Sequence, residues 1–237
     1  AAVAKGIKIG KNTHKVELIV KDSQSNGNRA SEVANELILK DKIDLMIAAH
    51  TPDTVNPVAD ACELNEVPCV TTDAPWQPYF FGRHGDPKKG FKWTYHFFFG
   101  AEGIIGCFID LWNQLPTNKV VGALWPNDAD GNAFADPGHG MPPIIAKAGF
   151  KLVDTGRFDA MAENFTAQIG KFKAEGVEIV TSVVPPPTFI SYWTQAAQQG
   201  FKPKIVVPGK SAEFPSTVKA LGALGKNVSI EVWWSPN

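Results

Sequence analysis

The stretch Ile47–Glu63, IAAHTPDTVNPVADACE, decides the fold. An apolar run stops at a small, polar, proline-marked corner, HTPDT, and an amphipathic segment opens directly behind it at Val55. A short apolar run bounded by turn residues reads as a buried strand, and apolar residues at helical spacing read as a helix packed against it. A strand that ends on Thr51, Asp53 and Thr54 and feeds a helix at once is half of a βα unit.

Working outward, the same rhythm covers the chain. Val16–Val20, Ile43–Ala49, Val67–Thr71, Lys119–Trp125, Lys151–Thr155, Val177–Val184, Lys204–Val207 and Val228–Trp234 read as strands. Arg29–Leu39, Val55–Leu64, Gly103–Leu115, part of Phe134–Ala148, Asn164–Glu175, Thr188–Gln199 and Pro215–Leu221 read as helices. The strands are apolar runs rather than alternating patterns, which implies burial on both faces. Alternating βα units with such strands make parallel sheets flanked by helices, so the fold class is α/β. The start, AAVAKGIKIGKNTHKVELIVKD, reads as the last turns of a helix followed by a strand. With a strand at the far end as well, the chain reads as truncated at both ends and carries no signal peptide. Asp73–Phe99, DAPWQPYFFGRHGDPKKGFKWTYHFFF, breaks the rhythm. It is long, aromatic and rich in Pro and Gly, and such segments are commonly functional or inter-domain. A crossing near Thr94–Phe99 divides the chain into a first lobe at 1–95, a second at 96–230 and a returning segment at 231–237.

Composition excludes several function classes. The chain has 237 residues, 44% hydrophobic and 20% charged, with a net charge of -1. That charge leaves no electrostatic footprint for nucleic acid or an anionic membrane, and no run approaches the ~18 apolar residues of a spanning helix. There is no dinucleotide or phosphate glycine loop, no nucleophile elbow and no H-E-x-x-H. The five histidines are scattered. PNDADGN, Pro126–Asn132, resembles a calcium loop, but proline stands at its first ligand position and again at its last, Pro137. Asp53, Asp73 and Asp130 could do acid–base work, but no nucleophile is aligned with them. No cofactor and no metal are expected, and no enzymatic activity. Cys62 and Cys69 flank a helix-to-strand turn. They read equally well as a disulfide of an oxidising compartment and as buried thiols.

Ligands of open parallel sheets bind beyond the carboxyl ends of the strands. Corners like HTPDT recur there as TDAPW (Thr72–Trp76), PNDADGN, PPPT (Pro185–Thr188) and PGKSAE (Pro208–Glu213). Thr51, Asp53 or Thr54 can cap the helix behind the first corner, or its N–H groups can hold an anion.

KVELIVKDSQSNGNRASEVANELI followed by NPVADACELNEVPCVTTDAP resembles the periplasmic substrate-binding proteins of ABC transporters, of the branched-chain amino acid type. NKVVGALWPNDADGNAF, AKAGFKLVDTGRFD, NFTAQIGKFKAEGVEIV and WTQAAQQGFKPKIVVPGK continue the likeness over essentially the whole chain. The resemblance implies two Rossmann-like lobes, joined by hinge strands, that close on a small-molecule ligand. It also implies a periplasmic or extracellular monomer that delivers the ligand to a membrane permease. A sensing domain of the same fold is the alternative. Carried over, the ligand carboxylate sits on Thr54 and the helix start. Asp73, Ala74, Pro75 and Trp76 form the next wall, and Asp130 and Pro185 fall at pocket positions. Lys210 falls where the family places an acid that pairs with the ligand's ammonium. A lysine there favours a second anionic group, and so an aromatic or dicarboxylic acid flanked by Trp76, Tyr79, Trp125 and Phe134.

Overall fold

The computed structural model of the protein describes residues 4–231. It opens on a two-stranded antiparallel hairpin, β1 (Ile7–Ile9) and β2 (Asn12–His14). Helix α1 (Gly27–Leu39) follows, then β3 (Met46–Ala49), α2 (Pro52–Leu64), β4 (Cys69–Thr72), α3 (Trp76–Gly82) and β5 (Thr94–Phe97). These strands form a parallel sheet of order β3-β4-β5. The chain continues through α4 (Ala101–Trp112), β6 (Val120–Pro126), α5 (Ala129–Phe134), α6 (Met141–Lys147), β7 (Lys151–Phe158), α7 (Thr166–Ala174), β8 (Ile179–Ser182), α8 (Pro186–Gln198), β9 (Ile205–Val207) and α9 (Pro215–Leu221). Its second parallel sheet has the order β7-β6-β8-β9.

The second sheet is covered on both faces, as continuous apolar runs require. Val121, Ala123, Trp125 and Ile179 pack with Ile105, Phe108, Trp112 and Ile145 on one side. Leu124, Val180 and Val206 pack with Ile169, Phe172, Phe189 and Tyr192 on the other. Among the described residues the first sheet is covered on one face only, by α1 and α2, through Ala30, Ala34, Ile38, Met46, Val58, Cys62 and Cys69. On the opposite face Ile47, Tyr95 and Phe97 are 70%, 62% and 81% exposed, so the expected burial on both faces fails there.

Several expectations are corrected. Val16–Val20 forms no ladder among the described residues, and Leu18 and Val20 stand in solvent; apolar, β-branched residues favour a strand only when another strand accepts their backbone groups. Residues 7–14 form a hairpin, while residues 1–3, where the end of a helix is expected, lie outside the described residues. Phe134–Ala148 is helical in part, as expected: α5 ends at Phe134, the chain breaks around Pro137, and α6 covers Met141–Lys147. Asp73–Phe99 contains α3 and β5 rather than irregular chain alone. Of the last expected strand, Val228 makes one bridge to Val206; residues 232–237, and with them most of the returning segment at 231–237, lie outside the described residues.

Candidate functional site

The strand-to-helix corners meet at the carboxyl ends of the two sheets. After β3, His50 adopts φ +91°, and after β4, Asp73 adopts φ +63°. Both are left-handed positions that cost a non-glycine residue conformational energy. Helix α2 starts with Pro52 at its first position, where the missing N–H costs nothing. The N–H groups of Thr54 and Val55 bond the Thr51 carbonyl at 3.0 and 2.9 Å. Thr54 Oγ1 donates to the same carbonyl at 3.1 Å and lies 3.5 Å from Thr51 Oγ1. No side chain caps this helix. Thr51, Asp53 and Thr54 therefore do not use their oxygens as caps, and the Asp53 amide has no partner among the described residues. Helices α3 and α8 likewise begin at Pro75 and Pro185 without side-chain caps. An open helix start is an anion site by its N–H groups and dipole.

The second sheet answers with charge. Asp128 caps α5 by accepting from Gly131 N–H at 2.7 Å. A Cβ on Gly131 would overlap the Pro126 carbonyl oxygen, so only glycine lets α5 turn back over the end of β6. Gly209 (φ +54°) likewise turns beneath Lys210, where a Cβ would stand 2.5 Å from the Ser182 carbonyl oxygen. Lys210 Nζ is ion-paired with Asp130 and lies 3.9 Å from Asp128 Oδ2. The lysine side chain is 21% exposed and that of Asp130 6%. Burial works against the Lys210 ammonium, but Asp130 and Asp128 outweigh it and hold its pKa above the ordinary lysine value. Burial pushes the Asp128 carboxyl up despite Lys210. Across the gap, Asp53 Oδ2 accepts from Ala129 N–H at 3.3 Å, at the start of α5. His50 and Phe214 stand 6.2 Å apart, ring centre to ring centre.

Lys210 is thus not free to attract a second anion, as its position alone suggested. Asp128, Asp130, Glu213, Asp73 and Asp53 all act on it or on one another, so one cation sits among five carboxyl groups. Burial pushes Glu213 up to about 7, with Lys210 opposing and Asp130 and Asp73 adding to it. Glu231 is also buried to about 7, with Glu213 beside it.

The sign follows from the raised values. Below about pH 4.5 these two carboxyls are protonated in both folded and unfolded chains, and their burial costs nothing. Between 4.5 and 7 the unfolded chain releases protons that the folded one keeps, so their contribution to stability falls as pH rises and is flat above 7. Glu213→Gln should remove Glu213's share of that fall. The variant is expected to gain on the order of 1 kcal/mol over the wild type at pH 8, allowing for partial exposure, and nothing at pH 4.5. Urea unfolding at the two pH values measures it; an equal difference at both would show that Glu213 does not titrate in that window.

The other expected residues divide. Ala74 and Pro75 are buried beside Asp73. Trp76 is partly exposed, and its Nε1 donates to Glu102 Oε1 at 3.1 Å. Tyr79, Trp125 and Phe134 are core residues. Tyr79 stacks on His96 at 4.1 Å, and the other two lie under the second sheet. Missed from the sequence were Asp128 and Glu213. Asp128 stands at an N-cap position in PNDADGN, a signal that was legible; Glu213 sits in PGKSAE without any. A groove of about 510 Å³ between α1 and α2 contains none of the corner residues.

A family model described as periplasmic binding protein matches residues 1–237. Among solved structures, a leucine binding protein from Thermotoga maritima superposes with a TM-score of 0.77 at 19% identity, over 94% of this chain and 60% of that one. The branched-chain amino acid substrate binding protein LivJ from Streptococcus pneumoniae, in complex with isoleucine, gives 0.70 at 17% identity, over 97% and 61%. A solute binding protein from Rhodopseudomonas palustris, in complex with 3,4-dihydroxybenzoic acid, gives 0.64 at 18% identity, over 83% and 52%. The chain spans about 60% of the length of the first of these.

Proposed function

This chain belongs to the periplasmic binding protein family, and from that premise we propose that it captures a small carboxylate-bearing ligand between two closing lobes, outside the cytoplasm, and delivers it to the permease of an ABC transporter. The ligand carboxylate sits at the start of α2, on the Asp53 amide and the Thr54 hydroxyl, with Thr51 behind them. Asp73, Ala74, Pro75 and Trp76 form the adjoining wall. Asp130, Pro185 and Lys210 face it from the second sheet.

One observation carries the reading. The uncapped start of α2 faces the Lys210–Asp130 pair, and Asp53 already reaches the start of α5 at 3.3 Å. A ligand there touches both lobes only when they are close. It stabilises the closed form by its differential affinity, which makes the protein a switch that a permease can read, without catalysis. The surplus of carboxylates around Lys210 favours a ligand whose other end is cationic, as in an amino acid, over a dicarboxylate.

Thermal shift of the full-length protein at pH 8, against amino acids, aromatic monocarboxylates and dicarboxylates, tests this. A ligand at ~100 times its dissociation constant adds about 2.7 kcal/mol, a few degrees for a protein of this size. An amino acid is expected to give the largest shift. A shift from dicarboxylates alone would overturn the charge argument, and no shift from any carboxylate would overturn the function.

A further inference from the structure

At the far end of α2 from the candidate site, Cys62 stands two residues before the helix ends, and Cys69 is the first residue of the central strand β4. The turn between them is tight: Val67 N–H bonds the Cys62 carbonyl at 3.0 Å. Both residues are fully buried in the cluster of Ala34, Ile38, Met46 and Ala61. Both are free thiols in this structure, and each is the strongest influence on the other's ionisation. Two isolated buried cysteines would act only as small hydrophobes. Two thiols in one buried cluster, seven positions apart across a helix–strand turn, are a cross-link awaiting an oxidant.

We propose that Cys62 and Cys69 form a disulfide when the protein folds in an oxidising compartment, fixing α2 to β4. The compartment rests on the extracytoplasmic reading above; the pairing rests on the shared buried cluster and the tight turn between the two residues. The oxidant is a dithiol–disulfide oxidoreductase or a low-molecular-weight disulfide. The thiolate of one of the two cysteines attacks its S–S bond, giving a mixed disulfide and releasing one thiol. The thiolate of the other then attacks the sulfur of the first, closing the protein S–S bond and releasing the second thiol. The protein loses two electrons and two protons, and the oxidant gains them. Because the pair is buried, oxidation occurs while the core is still open.

The consequence reaches the ligand site. The amino end of α2 carries Thr51, Asp53 and Thr54, and the carboxyl end of β4 leads into Asp73–Trp76. Tying the opposite ends of these two elements together holds the two walls of the first sheet's corner at a fixed spacing.

The test is refolding of the full-length protein from denaturant with oxidised and reduced glutathione, or with excess reductant. Alkylation in denaturant is then followed by mass mapping after cleavage at glutamate, since Glu63 and Glu66 separate the two cysteines. Exposed Cys107 is the internal control. After oxidative refolding Cys107 alone should be alkylated, with Cys62 and Cys69 joined; after reductive refolding all three should react. The oxidised form should melt about 5–10 °C above the reduced one. A Cys62→Ala/Cys69→Ala variant, which retains the packing volume of neither sulfur but needs no bond, should melt at one temperature in both buffers. Alkylation of Cys62 and Cys69 after oxidative refolding, or a wild-type melting temperature indifferent to reductant, would overturn the proposal. The thiol count needs no ligand, so its failure leaves the ligand reading standing.

Discussion

Lys210→Met is expected to destabilise the folded protein by about 2–3 kcal/mol at pH 7.5. Among the described residues the lysine is the one cation paired with Asp130 and Asp128, and Asp130 is almost fully buried. Removing the ammonium leaves that carboxylate in a low-dielectric site with like charges from Asp128, Asp53 and Glu213 around it. The methionine keeps most of the stem's packing, so the loss reports charge rather than volume. Two further results separate the causes. Asp130→Asn in the same chain should return a large part of the stability, because the uncompensated charge is gone. The destabilisation should also shrink at pH 5, where Glu213, raised to about 7 beside Lys210, takes up its proton. Urea unfolding of the four proteins (wild type, two single variants and the double) gives the coupling directly. If Lys210→Met were as stable as the wild type, the lysine would not be the counterion of this cluster.

Arg83→Ala should cost about 3–4 kcal/mol, and its effect should fall on the first sheet. The side chain is buried at the end of α3. Its Nε donates to Asp60 Oδ1 at 2.6 Å, and one terminal nitrogen donates to Tyr79 Oη at 2.6 Å and to Thr94 Oγ1 at 3.0 Å. The guanidinium lies 3.9 Å from the Phe91 ring centre and 4.8 Å from that of Tyr79. Deleting it leaves the Tyr79 and Thr94 hydroxyls without this partner, opens a cavity among aromatic rings and removes the tie between α2, α3 and β5. Asp60 contributes little, since it is largely exposed and can turn to water. Arg83→Lys should recover less than half, because an ammonium cannot serve a carboxylate and two hydroxyls from one planar fork. A loss below 1 kcal/mol for Arg83→Ala would mean that aromatic packing holds this segment without the cation.

The sequence was legible where burial imposes a period. The runs of β6, β8 and β9 are the covered strands their unbroken apolar character implies, β3 is a strand with one face open, and α1 follows from Ala30, Val33, Ala34, Leu37 and Ile38 on one face. Helix α3 was not legible. WQPYFFG carries a proline inside and another in front of it, and it is held by contacts distant in sequence: Arg83 with Thr94, and Gln77, which accepts from Ala101 N–H at 2.9 Å. Val16–Val20 is the converse, a strand pattern with no ladder to join. At the site, the corners were readable because each needs a proline, a small polar residue or a glycine. The electrostatics were not. Lys210 and Asp130 are 80 residues apart in sequence, so a lysine that looks like an anion receptor along the chain is, in the fold, already neutralised. Trp125 and Phe134 show the same limit for aromatics, which line a core or a cleft with equal propensity.

The placement of the ligand carboxylate on α2 is tested most directly by calorimetric titration of the full-length protein and its Thr54→Val variant, using the carboxylate that gives the largest thermal shift at pH 8. One-to-one binding by the wild type is expected, with affinity reduced at least about tenfold in the variant, since a hydrogen bond to a charged group contributes about 1.5–3 kcal/mol. The variant should unfold within about 1 kcal/mol of the wild type. Equal affinity in the two proteins would contradict a carboxylate held at the start of α2.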